Sequence, residues 1–201
     1  MLLDAADSQL VLVDYQARLM PAIFEGAEVL ANASRLAQLA RMLHMPAWGT
    51  EQNPEKLGSN PPELRTLCQK TLSKMHFGAV SEGLADWLRP PVRSGGGNAR
   101  SLPKHLQKPV AAPVPDRAAI VLAGCEAHVC LLQTALELVE LEFDVWVVTD
   151  ACGSRTERNR DAAFDRLAGA GVELVTTEMV AFEWLRTAEH PAFRDVQALI
   201  K

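Results

Sequence analysis

Three stretches of this chain are apolar without alternating: QLVLVD at 9–14, AAIVLAG at 118–124 and DVWVVTDA at 144–151. A strand with one face in water alternates apolar with polar residues. A continuous run rich in Val, Ile and Leu is instead a strand covered on both faces. Such strands need helices above and below them, and the segments between supply these. From Gly26 to about Met45, apolar residues recur at Val29, Leu30, Ala33, Leu36, Ala37, Ala40 and Leu43, a helical stripe. Helices are also expected over 127–140, over 159–168, where Gly169 and Gly171 end it, and over 178–188.

The remaining signals are shorter. MPAWGTEQ at 45–52 and VELVTT at 172–177 read as strands, and TLSKMHFGAV at 71–80 as a brief extended segment. NPPELRTL at 60–67 offers Asn60 as a helix N-cap with prolines in the first turn. Ser81 is placed to cap a short helix through Trp87 and Leu88. Strand and helix thus alternate. The expected fold is α/β, a three-layer α-β-α sandwich around a mostly parallel, Rossmann-like sheet of about six strands with right-handed crossovers. The chain's 201 residues suit a single domain spanning 1–201. One segment does not fit the alternation: residues 89–117 are rich in Pro, Gly and basic residues and lack periodicity, which marks an insertion or surface loop.

Composition narrows function by exclusion. With 48% hydrophobic residues, 22% charged and a formal net charge of -5, the chain offers no broad positive field for nucleic acid or an anionic membrane. Its N-terminus meets acidic residues at once, unlike a signal peptide, and it holds no apolar run of bilayer-spanning length. A soluble, cytoplasmic protein acting on a small molecule is expected. Neither common phosphate-cradling glycine motif is present.

An open parallel sheet binds ligands beyond the carboxyl ends of its strands, so chemistry is sought at Asp14, at 124–130 and at Asp150. Four cysteines, Cys68, Cys125, Cys130 and Cys152, lie in or beside apolar segments and read as reduced thiols. Cys130 stands out because a strand ends at Gly124 and a helix starts near it. A thiol over first-turn amides has its pKa lowered by the positive end of the helix, and the same N–H groups can face an oxyanion. Cys125, His128 and Cys130 lack the second ligand pair of a zinc site, and no metal or other cofactor is expected. His128, two positions from the thiol, does not share its face. Glu51 and Gln52, ending the second strand, are placed either to line a pocket or to cap a loop.

LVLVDYQ, TLSKMHFGAV and VLAGCEAHVCLLQTALELVE followed by VWVVTDACGSR resemble, in this order, the isochorismatase-like superfamily of cysteine hydrolases. The likeness is nearest to its isochorismatase domain-containing branch, which TEQNP and HPAFRDVQALIK also resemble, and it spans the chain apart from 89–117. The resemblance implies a catalytic triad on Asp14, Lys74 and Cys130. It implies a cis peptide between Cys125 and Glu126, turning backbone N–H groups of that loop and of Cys130 toward an oxyanion. Glu126, in that loop, and Gln52, at the end of the second strand, are the candidate oxyanion and substrate-binding residues. The resemblance also implies a homo-oligomer and a thioester route to cleaving a small amide-type C–N bond. Two departures leave the substrate open. WGTEQNP has no histidine where the family's metal-dependent nicotinamidases carry them, and the cleavage of isochorismate does not need a thiol in the same way. A catalytically silent scaffold that binds another protein is the alternative expectation.

Overall fold

The computed structural model describes residues 1–89 and 117–201, so the expected insertion at 89–117 lies almost wholly outside the described residues. Six strands make one sheet: β1 (Ser8–Val13), β2 (Ala47–Gln52), β3 (Lys70–Lys74), β4 (Ala119–Gly124), β5 (Asp144–Val148) and β6 (Glu173–Val175). They run in the order β3-β2-β1-β4-β5-β6, and every pairing is parallel, where the sequence suggested mostly parallel. The apolar runs become the central strands, and every residue of β1, β2 and β4 is buried.

Helices close both faces. On one side lies α1 (Gly26–Met42), whose Ala33, Leu36, Ala37, Leu39 and Ala40 are buried. Beside it pack α3 (Pro62–Arg65), α7 (Thr177–Leu185) and α8 (Phe193–Ile200). The other face carries α4 (Ala85–Leu88), α5 (Leu132–Glu140) and α6 (Glu157–Gly169), while α2 (Pro54–Leu57) sits in the connection after β2. No helix among the described residues is long and apolar enough to cross a membrane.

Strand order reverses between β1 and β4, so the crevice for a ligand opens above their carboxyl ends. Close approach of these strands explains Gly124. A Cβ there would overlap the Val13 carbonyl oxygen and lie 2.9 Å from its Cα.

Several local expectations shift. Asn60 does not cap α3: its side chain donates to the Thr50 carbonyl at 3.0 Å and its N–H to Glu51 at 2.8 Å. Thr156 and Thr176 do cap α6 and α7, accepting from the N–H of Asn159 and of Met179. Ser81 falls in a wide turn, Val80–Leu84, that Gly83 bends at a φ of 103°, and the helix over Trp87 starts only at Ala85.

Candidate active site

β1 ends at Val13, and Asp14 follows in the left-handed region with a φ of 54°, a conformation that Asp tolerates better than most residues. The sharp turn leaves its side chain over the crevice, wholly buried. Thr50, on the neighbouring strand, donates its hydroxyl to Oδ1 of Asp14 at 2.7 Å. Parallel register sets Gln52 beside Lys74 at the ends of β2 and β3. Lys74 is 2% exposed and crosses toward β1, where Nζ lies 2.8 Å from Oδ2 of Asp14. An ammonium so deep in the fold needs its donors filled. Nζ donates to Oε1 of Gln52 at 2.7 Å and to the carbonyls of Phe77 and His76 at 2.9 and 3.4 Å. Oδ2 of Asp14 faces this cation yet accepts no well-directed hydrogen bond from any described residue.

The nucleophile candidate arrives from β4. The Cys125–Glu126 peptide is cis. The N–H of Cys125 donates to Val13 O at 2.9 Å and that of Ala127 to Gly153 O at 2.7 Å, which ties the loop to strand ends on either side. A wide helical turn, Ala127–Leu131, then leads into α5. Cys130 is the fourth residue of that turn, just ahead of α5. Its surroundings do not give the lowered thiol pKa expected from a helix start. Burial, and after it the nearby Asp14 charge, push the thiol up to about 12 against the opposing effect of Lys74. Cys130 is therefore a neutral thiol near pH 7 rather than a helix-activated thiolate. Its Sγ lies 4.0 Å from Oε1 of Gln52 and adjoins Asp14 and Lys74 electrostatically.

The structure thus brings together Asp14, Lys74, Cys130 and Gln52. The Gln52 amide group is already committed, donating from Nε2 to the Met75 carbonyl at 2.7 Å, so in this arrangement its role is to hold Lys74. Glu126 turns its carboxylate elsewhere and pairs with Arg155 at 2.8 Å. Glu51 supports the loop at Asn60 and faces Arg65 at 3.5 Å, away from the thiol's partners. His128 shares a 2.9 Å hydrogen bond with Ser154. Asp150 accepts from the N–H and hydroxyl of Thr177, fixing the start of α7.

Sequence reasoning missed three contributors. Thr50 orients Asp14. Gln16, wholly buried, grips the Gln52 backbone, accepting from its N–H at 2.7 Å and donating to its carbonyl at 3.0 Å. Phe77 acts only through its carbonyl. Gln16 was findable, since an amide two residues beyond a strand-end Asp invites a site role; a strand threonine and a backbone carbonyl carry no sequence signal.

The isochorismatase domain model matches residues 111–179. Isochorismatase domain-containing protein 2 of Xenopus laevis is 35% identical over 193 residues, covering 96% of this chain and 83% of that protein. Among solved structures, a MAR1 ribonuclease from Caenorhabditis elegans superposes with a TM-score of 0.83 at 28% identity, covering 100% of this chain and 92% of that one. YcaC from Pseudomonas aeruginosa, solved with hexane-2,5-diol and covalent acrylamide, matches with a TM-score of 0.77 at 24% identity over 98% of this chain and 91% of its own. With its sheet order, crevice and near full-length likeness to these proteins, the chain belongs to the isochorismatase domain family.

Proposed function

We propose that this protein is a cysteine hydrolase that cleaves a small amide-type C–N bond through a thioester on Cys130. The observation that carries the reading is the buried Asp14 carboxylate, its Oδ2 2.8 Å from the Lys74 ammonium, next to a thiol that holds its proton. An acceptor of this kind beside a neutral thiol supports a general base waiting for its proton.

The steps follow from these groups. Asp14 takes the thiol proton as Sγ attacks the carbonyl carbon, so the negative charge moves from carboxylate to sulfur to the substrate oxygen. Lys74 stays within reach of both anionic sites throughout and keeps the charge compensated. The N–H groups of Glu126 and Cys130, rather than the committed ones of Cys125 and Ala127, face the tetrahedral oxygen. Collapse breaks the C–N bond, Asp14 returns the proton to the leaving nitrogen, and the thioester remains. Asp14 then takes a proton from water, which attacks the thioester; the acid leaves, and Sγ regains its proton from Asp14.

The substrate is small and not polyanionic, a reading supported by the net charge of -5. The Caenorhabditis elegans relative is named a ribonuclease, but the net charge of -5 gives no support for carrying that activity here. The test is a turnover screen over small amides, ureido acids and ring amides, comparing wild type with Cys130→Ala and following intact mass for a trapped acyl adduct. Turnover and a wild-type adduct, both lost in Cys130→Ala, are expected. Turnover by Cys130→Ala at the wild-type rate contradicts the thioester route. A neutral, 6% exposed thiol also favours one competing reading, a silent scaffold, which forecasts neither turnover nor adduct for either protein.

A further inference from the structure

Between β3 and the turn at Val80–Leu84, the chain presents consecutive carbonyls to the site. Met75 O accepts from the Gln52 amide, while His76 O and Phe77 O accept from the Lys74 ammonium. The N–H groups of this segment need partners of their own. A single carboxylate oxygen serves the first two. Oε1 of Glu82 accepts from the N–H of Met75 at 2.9 Å and of His76 at 2.9 Å, and lies 2.7 Å from Nδ1 of the His76 ring.

Glu82 is in turn held in place from the nucleophile's side. The N–H of Ala79 donates to the buried Thr134 hydroxyl at 3.1 Å, and that of Val80 to Glu137 at 3.0 Å, both on α5. Gly78 lies against the same Glu137 carboxylate, which a Cβ would overlap. Because α5 continues directly from the turn bearing Cys130, the segment links the helix of the thiol to the strand of the ammonium. The His76 and Met75 donors also hold the Glu82 carboxyl down at about 2, so it is ionised over the whole neutral range.

We propose that Glu82 is a positioning residue for the reaction described above: by clamping the N–H groups of Met75 and His76, it fixes the peptide that presents the Met75 carbonyl to the Gln52 amide, and with it the start of the turn whose His76 and Phe77 carbonyls hold the Lys74 ammonium near the Cys130 thiol. This rests on the cysteine hydrolase reading. Glu82 itself touches the turn, not the reacting atoms.

The experiment measures the rate of acrylamide addition to Cys130 at neutral pH by intact mass and peptide mapping, with thermal unfolding followed alongside. Full-length wild type, Glu82→Ala, Glu82→Gln and Glu82→Asp are compared, with Lys74→Met as reference. Displacing a catalytic group by a fraction of an ångström to 1 Å costs up to about a hundredfold, so Glu82→Ala should react about tenfold more slowly. Glu82→Gln keeps an acceptor oxygen at the same reach and should stay within about threefold of wild type. Glu82→Asp keeps the charge but withdraws the oxygen, and should follow Glu82→Ala; it also serves if the alanine variant does not fold. A residue that merely stabilises the fold would lower the unfolding temperature without this ordering of rates. Wild-type rates in Glu82→Ala or Glu82→Asp, or a Gln variant as slow as they are, overturn the proposal. If Lys74→Met slows the reaction while the Glu82 variants do not, only this proposal fails. If wild-type Cys130 does not react, or Lys74→Met leaves its rate unchanged, the hydrolase reading fails and takes this one with it.

Discussion

Lys74 and Asp14 are both removed from water, and each neutralises the charge of the other. Replacing one member of a buried ion pair leaves an uncompensated charge and typically costs about 3–5 kcal/mol. Lys74→Met should therefore lose stability on that scale in a urea titration, and Lys74→Met combined with Asp14→Asn should recover much of it. A double variant no more stable than Lys74→Met alone would mean the two charges do not depend on each other. This interdependence also explains what could be read at this scale. By itself Lys74 reads as a solvated surface lysine and Asp14 as a turn residue; only a family resemblance paired them with Cys130. The state of the thiol is not legible in the sequence because a dipole argument leaves out burial and the Asp14 charge, which decide at Cys130.

At the scale of elements, two glycines make contrasting demands. Gly124 packs against the Val13 backbone of the adjacent central strand, which cannot retreat without breaking register. Gly124→Ala should cost about 3 kcal/mol, the upper end of overpacking effects. Gly78 faces a carboxylate that can rotate away at the loss of its bond to Val80, so Gly78→Ala should cost about 1 kcal/mol. Equal losses in equilibrium unfolding would count against this difference between rigid and movable neighbours. The central strands were legible because their apolar runs are continuous, and the α1 stripe because its period is helical. Short elements were not. Asn60 has the composition of a cap but bonds across to Thr50, since a tertiary partner outcompetes a local one in a connection that folds back over the strand ends.

The molecule as a whole buries acids that prefer to stay protonated. Burial raises Cys68 to about 11 and both Cys130 and Cys152 to about 12, and it pushes Cys125 and Tyr15 well above their ordinary values. Unfolded cysteines release their protons near pH 8.5, so above about that pH the unfolded chain binds fewer protons than the folded one. Stability is then fully present below about pH 8.5 and should fall as pH rises from there toward 11–12. Denaturation midpoints across this range check it, with Cys152→Ala expected to flatten the decline. A midpoint that rises with alkalinity would contradict the buried, protonated thiols. The same sheet that buries these groups also sets the crevice at its β1–β4 reversal, which places Asp14, Cys130 and Lys74 at one rim.

Asp14 acts on Cys130 in two opposed ways, and the sign of one measurement separates them. As a fixed negative charge it raises the thiol, so its removal would make the sulfur more reactive. As a proton acceptor it enables attack, so its removal would make the sulfur less reactive. The decisive quantity is the rate of acrylamide addition to Cys130 at neutral pH in wild type and in Asp14→Asn. A rate at least about tenfold lower in Asp14→Asn, with Cys130 the fastest of the four wild-type thiols, is expected of a general base. An equal or faster rate in Asp14→Asn would show that the carboxylate is only a neighbouring charge.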